Sequence, residues 1–451
     1  MKLRLTLIGF GFMGLLSAQT INLDSLKTVI KEELREELKS EDLQKEELPD
    51  DQKDRLLQWS KFNIKGYGVV NYYNYGRFDT DPAIRNKIDA ERLNLYLDYN
   101  FTEKLKLHTE IEFEHGGTGT TMELDVQEEF GEYEQEIESG GEVKLEQLNI
   151  EYLYKPYLNI KMGRLKLLFN TAQKMDDPDE YFTTHRPEME DVILPLGWYE
   201  NGILLHGQFL KDKFSYQAAV VNGLESTGFS SANWIKNGYQ NKFEMVNAEN
   251  LAYFANLDFH FGKHKYTYAG VSYYYGNTSG NRPKPDMDVD AHVKIFGAHL
   301  SIFEYPYRFV SQFIYGDLQN SETISLRNRN LPATLGIKKT PVAKNALGLS
   351  AEFGYDILNL FNKESKMKLY PFIRYDFYDT MHETAGSITA NKRWKRSVIT
   401  GGINWFVFPK VILKAQYSSR TLGSDNVDIA TGEINGKQIE NIFSAGIGFN
   451  F

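Results

Sequence analysis

KLKLHTEIEFEH, Lys104 to His115, decides the fold. Leu105, Leu107, Ile111 and Phe113 lie on one side of a period of two. Lys106, His108, Glu110, Glu112 and Glu114 lie on the other. Successive side chains of an extended chain point to opposite faces, so this is a strand with one apolar and one polar side. RLNLYLDYNF, Arg92 to Phe101, repeats it: Leu93, Leu95, Leu97 and Tyr99 against Arg92, Asn94, Tyr96 and Asp98. A soluble sandwich also alternates, because one face of each sheet is buried. The connections separate the two cases.

Outward from these stretches the chain holds about sixteen such segments. They begin near Phe62, Lys87, Lys104, Val143, Tyr157, Trp198, Lys213, Asn250, His264, Asp290, Pro306, Lys344, Lys366, Arg393, Lys410 and Gln438. Short links, such as Thr102–Glu103, Lys211–Asp212 and Tyr305–Pro306, alternate with long ones, such as Gly116 to Glu142 and Asn170 to Gly197. Short turns at one rim, long loops at the other and an even strand count mark an outer-membrane barrel. The expectation is an all-β chain: a transmembrane antiparallel β-barrel of about sixteen strands over residues 61–451, in the cell outer membrane.

Composition agrees. The chain has 451 residues, no Cys, 36 Gly, 28 Tyr and 29 Phe, so neither a disulfide framework nor a thiolate metal site is possible. The aromatic content excludes wholesale disorder. A mean hydropathy of -0.46 excludes a helical membrane protein. Aromatics gather beside the short turns: Tyr99 and Phe101, Tyr152 to Tyr157, Phe259 and Phe261, Tyr266 and Tyr268, Trp405, Phe406 and Phe408. Such rings suit a membrane interface, being apolar at one end and able to hydrogen-bond at the other. The last strand, NIFSAGIGFNF, ends on Phe451, and a terminal aromatic on the lipid face resembles the assembly signal of outer-membrane barrels.

Met1 to Gln19 carries Lys2 and Arg4, an apolar run from Leu5 to Leu16, then Ser17 and Ala18. This pattern predicts a signal peptide over residues 1–18. A charged, periplasmic leader follows over 19–60. Leu26, Ile30, Leu34 and Leu38 repeat every four residues, so it is helical, either solvated or a short coiled coil between subunits. The net charge of -10 is concentrated in this leader and in Gly116 to Glu142, which holds nine acids and no base. The rest is near neutral, which excludes a nucleic-acid binder. The acidic loop is either solvated, bridged to lipopolysaccharide through divalent ions, or latched over a neighbouring subunit.

A barrel of about sixteen strands is too wide for side chains to fill, so a water-filled interior is expected, lined by the polar face. Arg92, Lys106, Lys161 and Arg374 point inward by alternation. A bulge near Gly163 would exchange Lys161 or Arg164 between faces. Arg186 lies in the long loop Asn170 to Gly197, where wide porins fold a loop inward. Asp176 to Glu180 in that loop has the oxygens for a hard cation but matches no defined metal loop. No cofactor or catalytic residue is expected; His185 near Asp177 is the one candidate pair for hydrolysis.

The middle of the chain carries more specific features. NIKMGRLKLLFN (Asn159 to Asn170) is followed by HRPEMED (His185 to Asp191), ENGILLHG (Glu200 to Gly207) and YQAAVVNG (Tyr216 to Gly223). PFIRYDFYD (Pro371 to Asp379) and GGINWFV (Gly401 to Val407) come later. This succession resembles the phosphate-selective porin O and P family. Gly163, Lys166, Arg186, Gly202, Gly207, Asn222 and Gly223 stand at the family's motif positions, and Leu168 stands where the family often has Pro. The resemblance implies a porin, a homotrimer with one pore per subunit, and a constriction loop carrying a cation. No dense ladder of inward Arg is visible, so phosphate selectivity carries over less well than the fold. The candidate pore-lining set is Arg92, Lys106, Lys161, Arg164, Lys166, Arg186 and Arg374. The function this suggests is passive diffusion of small ions or polar solutes, phosphate or other anions among them, with membrane lipid and lipopolysaccharide as surroundings. An outer-membrane barrel serving as an adhesion or assembly platform is the alternative.

Overall fold

The computed structural model describes residues 58–117, 141–171, 173–195, 197–240, 245–331, 339–363, 365–423, 426–427, 434–435 and 438–451. The predicted signal peptide, most of the leader and most of the acidic loop lie outside the described residues. Two compact units divide at Lys61/Phe62, and the second is the barrel.

Its strands are β1 (Phe62–Phe78), β2 (Lys87–Asn100), β3 (Leu105–Glu114), β4 (Glu142–Lys155), β5 (Leu158–Lys166), β6 (Tyr199–Phe209), β7 (Phe214–Asn222) and β8 (Leu251–His260). Then come β9 (Tyr268–Asn277), β10 (His292–Glu304), β11 (Tyr307–Leu318), β12 (Asn345–Tyr355), β13 (Lys368–Glu383), β14 (Lys395–Phe408), β15 (Val411–Leu422) and β16 (Ile439–Asn450). Among the described residues these sixteen form one closed antiparallel barrel, each strand paired with its sequence neighbours and β1 with β16. Closure satisfies every strand edge, the condition for spanning a membrane with sheet. Most strands begin within two residues of their expected starts. β9 begins at Tyr268 rather than His264, because residues 261–267 close a turn on themselves, Phe261 N donating to Thr267 O and Thr267 N to His264 O, before pairing starts.

The outer wall is apolar. On β8 the alternation is complete: Leu251, Tyr253, Leu257 and Phe259 are exposed while Ala252, Phe254, Asn256 and Asp258 are buried. Ile64, Met162, Ile203, Ile373, Ile399 and Leu413 continue the exposed apolar surface around the barrel. Exposed large apolar side chains on every side of a closed barrel make a lipid-facing belt. Tyr152, Tyr154, Tyr157, Phe261, Trp405 and Phe408 sit exposed near the short-turn rim. Tyr266, Tyr268 and Phe406, expected with them, do not. Tyr268 and Phe406 are buried inside the barrel, and the Tyr266 hydroxyl reaches Glu180.

The inward face departs from the expected all-polar lining. On β7 to β14, toward the long loops, it carries Val221, Tyr274, Val293, Ile295, Ile314 and Val398, packed against Leu224, Phe229, Trp234 and Ile235 of the β7–β8 connection. Met189, Ile193 and Leu194 of the β5–β6 connection join them. Two long loops therefore fold into the barrel and bury their apolar side chains against an apolar stretch of its inner wall. Each fully buried large side chain contributes about 1.5–3 kcal/mol.

Candidate channel and constriction

The loop between β5 and β6, residues 167–198 (L3), is stitched to the inner wall. Asn170 N donates to Ser272 Oγ at 3.2 Å and its Nδ2 to Phe313 O at 3.2 Å. Lys174 Nζ lies 2.6 and 2.7 Å from the two Asp258 carboxylate oxygens. Arg308 Nη1 donates to Asp179 O at 2.8 Å. Lys414 Nζ donates to the carbonyls of Tyr181 and Thr183, each at 2.8 Å. Asn71 Nδ2 donates to Thr184 O at 3.1 Å. Near the loop's end, the short helix α1 (Glu188–Val192) places Glu190 3.3 Å from Arg374 Nη2.

The wall makes room with glycine. A Cβ at Gly354 would stand 2.4 Å from the Phe182 ring, and one at Gly448 2.6 Å from Pro178 Cβ. A larger residue at either place would have to displace Phe182 or Pro178.

These ties divide the lumen unevenly. The inward side chains of Asp258, His299, Arg374, Glu352, Lys414 and Gln416, on β8 to β15, are buried under L3. On β2 to β6 some charged side chains stay partly open, Asp98 at 19%, His108 at 23%, Lys161 at 26%, His206 at 23% and Lys144 at 22% exposure, while Glu110, Glu112, Glu146, Glu151 and Arg164 are buried. The partly exposed charges of the lumen thus lie on the β2–β6 side.

On that side several charges gather around one carboxylate of L3. Asp176 of L3 is met by Lys166 Nζ at 2.5 Å, Arg186 Nη2 at 2.8 Å and Arg92 Nη1 at 3.6 Å. Arg92 Nε also pairs with Glu112 at 2.8 Å. Burial pushes the Asp176 carboxyl up, but Lys166, Arg186 and Arg92 together outweigh it and hold it well below the usual carboxylate range. Glu110, fully buried, accepts from Asn94 Nδ2 at 3.0 Å and from Tyr199 Oη at 3.3 Å. Tyr67, buried, and Tyr96, half-buried, complete this level, their ring centroids 6.3 Å apart. Farther along L3, Asp177 contacts Asn450 Nδ2 at 3.4 Å. Burial, with Glu180 and Asp179 close by, pushes its carboxyl up to about 7.

Of the sequence-derived set, Arg92, Lys166 and Arg186 come together around Asp176. Lys161 does not join them: it lies 3.7 Å from Glu151, in a separate group near the short turns. Lys106 is opposite Glu151 in the β3–β4 register. Arg164 follows Gly163, whose φ is 131°, but the β4–β5 and β5–β6 pairing runs through Gly163 without the register shift a bulge would give. The Arg164 guanidinium is buried, donating to Glu146 O at 3.1 Å and to Tyr239 Oη at 2.8 Å. Arg374 is buried among Asp376, Glu190 and Glu352 and ties L3 to the wall. His185 contacts Thr184 Oγ1 at 3.2 Å and faces the Tyr73 ring, while Asp177 faces Asn450. Sequence reading missed Asp176 as the hub and Lys174 as the root tie. The signal for Asp176 was present, an acid ten residues before Arg186 in one inward loop, but its three partners come from three separate segments. Among the described residues no group of three or more His, Asp or Glu has the arrangement to hold a metal ion.

A closed sixteen-stranded barrel with a lipid-facing belt and a loop folded into its lumen defines the porin type of outer-membrane β-barrel. Comparison with known proteins places the chain beside such barrels. OprB of Pseudomonas putida has a TM-score of 0.54 at 9% identity, over 88% of this chain and 96% of that one. The outer membrane channel DcaP of Acinetobacter baumannii has 0.51 at 11% identity, over 86% and 97%. An anion-selective porin from Comamonas acidovorans has 0.50 at 10% identity, over 86% and 100%. At these identities the likeness is one of fold. In sequence the chain is similar to an uncharacterized protein of Aquifex aeolicus (strain VF5), 29% identical over 366 residues, 79% of this chain and 74% of that one. No protein-family model matches.

Proposed function

We propose that the chain is a passive diffusion channel of the outer membrane for small ions and polar solutes, with a modest preference for anions. One observation carries the reading: L3 is bonded to the wall across most of the barrel, while Asp98, His108, Lys144, Lys161 and His206 on β2 to β6 keep partial access to water. A loop that narrows a lumen without filling it leaves a route, and the charges beside that route act on what passes. Arg92, Lys166 and Arg186 at the Asp176 level supply the positive side, and in a partly desolvated passage they act more strongly than in open water. Lys106 and Lys161 line the same route nearer the short turns. Kinship with the phosphate-selective O and P porins, a homotrimer, and phosphate as a solute belong to this reading and rest on the motifs from Asn159 to Gly223. The reading involves no catalysis. The test is purified protein in a planar bilayer under a KCl gradient. Stepwise conductance with a reversal potential on the anion side supports it, and a barrel that inserts without conducting overturns it.

A further inference from the structure

The outer wall of β8 to β11 is not evenly filled. Its outward positions Ala269, Ala298 and Ser311 are small, and they alternate with the inward, buried His299 and Gln312. The registers set the small positions side by side. Leu300 stands between Ala269 and Ser311, and Ala298 stands between Val271 and Phe313. A low floor edged by Leu257, Phe259 and Phe313 leaves an open groove of about 600 Å³. Sites for small ligands run about 300–1,000 Å³. Ser311 Oγ donates to Ser350 O at 3.0 Å, so the groove's outward hydroxyl is already satisfied by the wall. What the groove offers is apolar contact, as a surface against hydrocarbon requires.

The groove lies toward the short turns. Phe214 and Phe259, opposite each other on β7 and β8, flank it beside the turns at 210–213 and 261–267. Lys213 immediately precedes Phe214, and its carbonyl accepts from His260 N at 2.7 Å, which sets it beside the end of β8. Lys263 N donates to Glu304 Oε1 at 3.0 Å, which sets that residue beside the end of β10. Lys211, Lys213 and Lys263 are exposed, and among the described residues none of the three forms an ion pair. Lys265, by contrast, lies 3.8 Å from Glu180 of L3. The acids nearby are Asp212 and Glu304, and Glu304 is engaged by the Lys263 amide. A lysine stem lies readily along an apolar wall while its ammonium stays at the interface.

We propose that this groove and the lysines at its mouth form a binding site for a phospholipid with an anionic headgroup. One acyl chain fills the groove, and the phosphate meets Lys211, Lys213 and Lys263. Two independent features select that occupant. The groove accepts hydrocarbon, and the mouth accepts negative charge, as clustered lysines beside a membrane do. A second copy of the chain fits less well. Its short turns stand at the same membrane level and carry Lys155, Lys363, Lys366 and Lys410, all exposed, so it would bring like charge to the mouth. The site depends on the barrel's place in the membrane and not on conduction.

The experiment is native mass spectrometry of the full-length protein, folded in detergent and mixed with dipalmitoyl phosphatidylglycerol or dipalmitoyl phosphatidylcholine. It reads retained lipid per subunit and the mass of the assembly together. Wild type should retain phosphatidylglycerol roughly fivefold better than phosphatidylcholine. Ala298→Phe fills the floor with another apolar side chain and should lower phosphatidylglycerol retention roughly threefold. Ser311→Leu fills the same groove from β11 and stands in if Ala298→Phe loses the heat-modifiable migration of a folded barrel. Lys211→Gln with Lys213→Gln and Lys263→Gln should bring the two lipids to equal retention. Equal retention of both lipids by wild type overturns the inference. Undiminished phosphatidylglycerol retention in a folded groove variant does the same, as does an undiminished preference in the lysine variant. A smaller assembly in the groove variants assigns the groove to a second copy of the chain and overturns the lipid site.

Discussion

Arg186 Nη2 lies 2.8 Å from Asp176 Oδ1, although both belong to the same inward loop. The Arg186 guanidinium also sits 5.1 Å from the centroid of the Tyr181 ring. One cation therefore shapes L3 and, on the channel reading proposed above, charges the constriction. Replacing Arg186 with Ala leaves Asp176 to Lys166 and Arg92. The anion-over-cation permeability ratio should fall by roughly twofold in a reversal-potential measurement. Arg186→Lys keeps the charge but loses the planar fork, so it should hold the ratio better than Ala does. An unchanged ratio in Arg186→Ala would reduce this residue to a tie within L3.

Arg374 tests the anchoring of L3. Its guanidinium meets Asp376 at 2.8 Å and Glu190 and Glu352 at 3.3 Å each, with every partner buried. Arg374→Leu strands three carboxylates, a change that costs about 3–5 kcal/mol when a buried pair is broken from one side. The urea midpoint of the detergent-folded barrel should drop, and adding Glu190→Gln should restore part of it. A midpoint equal to wild type would show that water reaches these carboxylates.

Asp177 predicts a pH dependence of L3 itself. Its carboxyl is pushed up to about 7 by burial and by Glu180 and Asp179, so the folded loop favours the protonated form. That contribution is fully present below the ordinary carboxylate pKa of about 3.9 and is lost as pH rises through about 7. Open-channel noise should rise across neutrality in wild type and stay low at all pH values in Asp177→Asn. Equal noise for the two proteins in mild alkali would sink the assignment.

Glycine on the inner wall gives a steric test. A Cβ at Gly354 would meet the Phe182 ring at 2.4 Å, whereas one at Gly401 meets nothing closer than 4.0 Å. Gly354→Ala should displace L3, change single-channel conductance and cost about 1–3 kcal/mol, the range for overpacking. Gly401→Ala should change neither. The same conductance in both variants would mean that Phe182 moves aside without carrying the loop.

Phe451 closes the barrel seam. Its N–H donates to Gly66 O at 2.9 Å, its carbonyl accepts from Gly66 N at 3.2 Å, and its ring lies over Gly66. Phe451→Ala keeps both backbone bonds and removes the ring from the lipid-facing side. The protein level in the outer membrane should drop roughly severalfold, as losses of about 1–2 kcal/mol do in cells. Normal levels with normal heat-modifiable migration would make the ring incidental.

Alternation and loop sorting were legible in the residues alone, because both are local. A strand's side chains alternate whatever it pairs with, and a turn is short or long before it is placed. Thus Lys104 to His115 displayed its two faces, and the strand count and the inward charges of β2 and β3 followed. Tertiary structure decided which inward groups meet water. Arg374 and Lys161 look alike by alternation, yet one lies under L3 and the other beside the open route. The reason is that L3 makes contacts over long separations, from Lys174 to Asp258 and from Thr183 to Lys414, and no period within a strand encodes which wall a loop will lean on. The apolar inner wall facing Trp234 has the same origin: a residue's face is local, but what covers that face belongs to the whole fold.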